Sequence, residues 1–114
     1  MEYPKRGEIW QVFFDPAIGG EIRKSRPALI VSNDYHNQRM RTVTVLPITD
    51  RGEFVFPVEV FLSQKTPGLM KDSKIKSHQI RTIDKSRMSR LLGTIPEELW
   101  KDIEKSLKIH LGMF

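Results

Sequence analysis

The sequence predicts a mainly β protein: a small, strongly bent antiparallel sheet or partial barrel with one helix packed on it. Three observations carry that expectation. Short runs rich in aromatic and β-branched residues recur up to about residue 83. Prolines fall inside two of those runs, at Pro47 and Pro57, as they do in strands that reach an edge or a bulge. A sustained four-residue apolar period appears near the C-terminus, where the chain reads as a helix. The 114 residues are of single-domain size, and no linker, repeat or low-complexity tract interrupts residues 1–114.

The first strand is EIWQVFF, Glu8 to Phe14, with Gly7 before it and Asp15-Pro16 closing it. The second covers 27–32, where Ala28-Leu29-Ile30-Val31 is apolar enough to be buried on both faces. The polar stretch from Asn33 to Gln38 reads as a short helical turn. TVTVLPIT, Thr42 to Thr49, alternates, and so does FVFPVEVFL, Phe54 to Leu62, which places Phe54, Phe56, Val58, Val60 and Leu62 on one face. Asp50-Arg51-Gly52-Glu53 between them reads as a hairpin turn. A fifth strand is expected over Ser73 to Ile83, with Lys74, Lys76 and His78 on one face and Ile75, Ser77 and Gln79 on the other, as on a charge-protected edge. Thr94-Ile95-Pro96-Glu97 has the form of a capping box. Leu99, Ile103, Leu107 and Leu111 then define an amphipathic helix that must cover part of the sheet.

Composition narrows the function. There is no cysteine, which removes disulfides and cysteine-based zinc sites and is compatible with a reducing compartment. His36, His78 and His110 are too scattered to suggest a metal cluster, so no metal or cofactor is expected. No apolar run approaches the roughly 20 residues of a membrane span, and the N-terminal MEYPKRGE lacks the apolar core of a signal peptide, so a cytoplasmic protein without a membrane partner is expected. Nineteen Lys and Arg against fourteen Asp and Glu leave a formal charge of +5, a footprint suited to a polyanion.

The segment GGEIRKSRPALIVSND, residues 19 to 34, concentrates the chemistry. A flexible polar loop bearing Glu21, Arg23, Lys24 and Arg26 leads directly into the most apolar strand. Pro27 fixes its own φ and biases Arg26 toward extended geometry, holding an arginine at a strand entrance. Trp10 and Trp100 fall within apolar patterns and read as core residues, while His36 lies in a polar turn and His110 near a helix C-terminus.

RGEIW at 6–10, DP at 15–16, GGE at 19–21, RPALIVSND at 26–34, PIT at 47–49 and QIRTIDKSR at 79–87 occur in order, followed by the amphipathic C-terminal helix. In these blocks the chain resembles the MazF, PemK and Kid group of toxin ribonucleases, within the wider CcdB/PemK fold superfamily. The resemblance implies an SH3-like partial β-barrel with appended helices, a homodimer, and metal-independent, sequence-specific cleavage of single-stranded RNA. It also implies a cognate small acidic antitoxin, MazE-like, that covers the RNA site. Arg26 and Thr49 match the family's catalytic arginine and threonine. Glu21 and Gln79 match residues close to bound RNA, and His78, Lys24 and Lys76 are expected on the same RNA-binding surface. The chain departs from the family at Gly20, where relatives often carry Ser or His, and at His78, where many carry an acid.

RNA can be cut without a metal because its own 2′-OH can attack the adjacent phosphorus. Arginine suits the phosphate because its planar fork donates two hydrogen bonds and stays charged. Its high pKa fits charge stabilisation and leaving-group protonation better than general-base work. Two alternatives remain at this stage: a same-fold protein-binding toxin that poisons gyrase, and a barrel that holds nucleic acid without cutting it.

Overall fold

The computed structural model describes residues 3–113. Seven strands form one antiparallel sheet: β1 (Glu8–Phe13), β2 (Ser25–Ile30), β3 (Thr42–Asp50), β4 (Glu59–Leu62), β5 (Ser73–Lys76), β6 (Arg81–Asp84) and β7 (Met88–Thr94). Two α-helices accompany them, α1 (Asp34–Arg39) and α2 (Trp100–Leu111). The strand order is β4-β5-β3-β2-β1-β7, with β6 also paired to β3. The sheet does not close, as expected of a partial barrel.

The bend is built into β3. Its first half, Thr42 to Val45, pairs with β6, and its last three residues, Ile48 to Asp50, pair with β5. Pro47 lies in the gap between those pairings, where a missing N–H leaves no ladder bond unmade on that side. On the other side, β3 pairs with β2 through Ala28↔Pro47, Leu29↔Leu46 and Ile30↔Val45. The run Ala28 to Ile30 is fully buried, and its alternate residues supply two cores. Leu29 packs with Ile9, Leu46, Ile48, Val60, Ile75 and Ile103 on one face. Ala28 and Ile30 pack with Val12, Phe14, Val43, Val45 and Ile83 on the other. Helix α2 covers the first core by inserting Ile103, and the Ser77 and Ser106 hydroxyls meet at 2.6 Å beneath it.

Five expectations are corrected. Residues 54–58 are not strand, and β4 begins at Glu59. Phe54 and Phe56 pack edge to face on each other, ring centroids 4.6 Å apart, so their alternation records a local aromatic pair rather than a sheet face. Residues 50–53 do not join a hairpin, because β3 and β4 both pair with β5 rather than with each other. The strand expected over 73–83 is broken by a 3₁₀ turn at Ser77–Gln79, and β5 is an interior strand, not an edge. Strand β7 was not expected; it borders β1 with two register shifts, an irregularity that weakens its sequence period. The capping box does not form: Thr94 ends β7, and α2 starts from Leu99 without a side-chain cap.

Candidate active site

Arg26 enters β2 one residue before Pro27, and the last β2–β3 pair at this end is Ala28↔Pro47. Continuing that antiparallel register by two residues sets Arg26 opposite Thr49, on the same face of adjoining strands. Both residues line a depression of about 260 Å³ at the open end of β2 and β3. Within it the Thr49 hydroxyl is 3.4 Å from the Asp50 carbonyl. The Arg26 Nε–H donates to the Arg23 carbonyl at 3.3 Å, which orients the guanidinium and leaves its terminal nitrogens open. Among the described residues no carboxylate pairs with Arg26. Asp50, next to Thr49 in sequence, is occupied by Lys71 at 2.9 Å. That lysine and the Gly52 N–H hold the Asp50 carboxyl below its ordinary range.

Glu21 makes no contact with Arg26 among the described residues. Its carboxylate accepts the Ile18 N–H at 2.7 Å and shapes its own loop. Glu21, His78 and Gln79 instead share a second, more polar depression of about 640 Å³ with Gly20 and Arg81. Gln79 is tied to the loop by both ends of its amide, accepting from the Ile22 N–H at 2.7 Å and donating to the Gly20 carbonyl at 3.3 Å. His78 is half-buried, and its Nδ1 is enclosed with no hydrogen-bond partner among the described residues. Burial lowers its pKa, and the charges of Lys76 and His110 push the same way against the opposing pull of Glu59, so the ring is neutral at neutral pH.

The basic residues expected to contact RNA separate into two groups. Lys24 is exposed in the loop neck with φ +64, its N–H on the Asp15 carboxylate at 3.0 Å and its carbonyl receiving the Phe14 N–H at 2.8 Å. Lys76 faces Glu59 at 3.9 Å, beside Lys74 at 3.1 Å from the same carboxylate. Burial alone would raise the Glu59 pKa, but the Phe56 N–H and the two lysines outweigh it and hold the carboxyl below its usual range. Sequence reasoning passed over Arg81 and Arg87. Arg87 donates to the Phe13 and Asp15 carbonyls at 3.1 and 2.7 Å, and Arg81 to Phe14 at 3.1 Å, so the two arginines anchor the end of β1 where the 15–24 loop begins. Their place in the QIRTIDKSR block was the available signal.

A family model for the PemK-like, MazF-like toxin of type II toxin–antitoxin systems matches residues 5–111. Endoribonuclease MazF9 of Mycobacterium tuberculosis is 39% identical over 115 residues, covering 96% of this chain and 98% of the relative. Among solved structures, MazF from Deinococcus radiodurans aligns with a TM-score of 0.84 at 26% identity, over 99% of this chain and 100% of that one. An endoribonuclease in complex with its cognate antitoxin, from a mycobacterial species, aligns with a TM-score of 0.80 at 22% identity over 97% of both chains.

Proposed function

We propose, from the premise that this chain belongs to the PemK-like, MazF-like toxin family of type II toxin–antitoxin systems, that it is an endoribonuclease that cuts single-stranded RNA at Arg26 and Thr49. The observation that carries the site is the placement of an unpaired guanidinium opposite a hydroxyl donor on adjoining strands.

The RNA 2′-OH attacks the adjacent phosphorus and the bond to the 5′-oxygen of the next nucleotide breaks, leaving a 2′,3′-cyclic phosphate and a 5′-hydroxyl. Negative charge builds on the non-bridging oxygens as the attack proceeds. The open nitrogens of Arg26 donate to those oxygens, and the Thr49 hydroxyl adds a neutral hydrogen bond. Arg26 also protonates the departing 5′-oxygen, while the proton lost by the attacking 2′-OH passes to solvent water, from which Arg26 regains its own. No step calls on a metal. Glu21, Gln79 and the neutral His78 border the path of the RNA, with Lys24 supplying charge at the loop neck. Lys76, held by Glu59, contributes less than its formal charge suggests.

Residues 1–114 act as one toxin domain in the cytoplasm, as a homodimer, and a small acidic antitoxin restrains it. Support for the partner comes from the relatives solved with their antitoxins and from the formal +5 charge. Incubating the purified protein with an unstructured RNA in EDTA tests the reading. Fragments ending in cyclic phosphate support it; intact RNA that remains bound, or unbound RNA, contradicts it in favour of a non-cleaving barrel or a protein-directed toxin.

A further inference from the structure

Arg90 stands on β7 and is exposed, and no hydrogen bond or ion pair engages its guanidinium among the described residues. Lys71, which also lines the Arg26 depression, is occupied by Asp50. Arg90 lines the same depression as Arg26 and Thr49. The register explains how it arrives there. Gln11 on β1 pairs with Pro27 on one side and with Arg90 on the other, so Pro27, Gln11 and Arg90 form one row across three strands. Arg26 and Thr49 alternate onto the opposite face, with Val12 and Ala28. The depression nevertheless takes its lining from both sets, Arg26 and Thr49 from one and Pro27, Gln11 and Arg90 from the other.

We propose that Arg90 binds a second backbone phosphate of the RNA, one or two nucleotides from the phosphate that is cut. The proposal rests on the ribonuclease reading above. Two strand spacings separate β2 from β7, about 10 Å, a span that phosphates one or two nucleotides apart on an extended strand can bridge. A free, exposed guanidinium has little else to neutralise it, and a phosphate accepts its fork in two hydrogen bonds. Such a contact carries no base information. It sets the register of the strand over the rim and adds affinity that depends on salt.

The test uses the full chain, a short cleavable RNA, and the same RNA with 2′-O-methyl groups, which cannot be cut. Arg90→Ala should raise KM and the dissociation constant of the methylated RNA about tenfold, with kcat within about twofold of wild type, since a phosphate contact away from the cut bond acts on binding. The slope of log affinity against log salt should fall by about 0.7, the loss of one phosphate contact on a single strand. Placing a neutral methylphosphonate at successive positions should reveal one position that weakens binding to wild type but not to Arg90→Ala. Unchanged affinity and salt slope, or a fall in kcat at constant KM, would overturn the proposal. Failure of the ribonuclease reading shows separately, as wild-type protein that binds the RNA without cutting it, because the binding arm needs no cleavage.

Discussion

Gln79 accepts the Ile22 N–H at 2.7 Å across 57 positions of sequence, joining the turn after β5 to the loop that leads into Arg26. The same side chain donates to the Gly20 carbonyl. Gln79 therefore sets the shape of the loop as well as bordering the depression that Glu21 and His78 share.

Replacing Gln79 by Ala should free the loop. Loss of two hydrogen bonds at a half-buried site costs about 1–2 kcal/mol. Amide exchange at Ile22 should speed up and cleavage should fall mainly through KM. Gln79→Glu, which keeps the acceptor for Ile22 and loses only the donor to Gly20, should lie between the two. Equal exchange rates at Ile22 in wild type and Gln79→Ala would remove this role.

Glu59 gives a pH dependence whose sign follows from its depressed pKa. A carboxyl held lower in the folded than in the unfolded state contributes stability above its unfolded value of 4.5, and that contribution is lost as pH falls through the lower folded value. Glu59→Gln leaves Lys74 and Lys76 facing a neutral partner and should cost about 1–3 kcal/mol at pH 7. Denaturant midpoints of wild type and variant measured from pH 7 down to pH 3 should converge. A constant gap across that range would show that Glu59 does not act through its charge.

Ile103 is the apolar residue by which α2 enters the first core, at 1% exposure. Ile103→Ala should destabilise the fold by about 2–4 kcal/mol while leaving cleavage per folded molecule nearly unchanged. Thermal unfolding and activity at a temperature well below the midpoint separate those two effects.

The acidic antitoxin should compete with RNA directly, since a basic surface that includes Arg26 and Lys24 attracts any flexible acidic chain. A peptide from the cognate antitoxin should displace the methylated RNA, with both affinities weakening as salt rises. A ternary complex of peptide, RNA and toxin would contradict competition at the site.

Much of the fold was legible where the burial pattern is strong. Ala28 to Ile30 reads as buried on both faces and is so; of the four-residue period, Ile103 is buried and Leu107 half-buried on α2, while Leu99 falls in the turn before it and Leu111 is exposed. Legibility failed where local contacts imitate or hide a period. Phe54 and Phe56 alternate because they pack on each other, and Arg90 and Leu91 on β7 are exposed beside a bulged partner, so no apolar period marks that strand. At the site, Arg26 and Thr49 could be named through resemblance, but their opposition comes from a register that sequence does not contain. Arg90 belongs to no recognised block, and only the β1–β7 pairing brings it to the rim.

The central claim is that Arg26 acts on the phosphate and not on the fold, and it is tested by single-turnover cleavage at saturating protein. Arg26→Ala should lower the cleavage rate by at least about a thousandfold with an unchanged thermal midpoint, a loss in the range of a removed transition-state donor and proton source together. Arg26→Lys should recover only part of it, lacking the fork, and Thr49→Val, which removes a neutral donor, should lose about ten- to a hundredfold. Near-wild-type cleavage by folded Arg26→Ala would contradict the account.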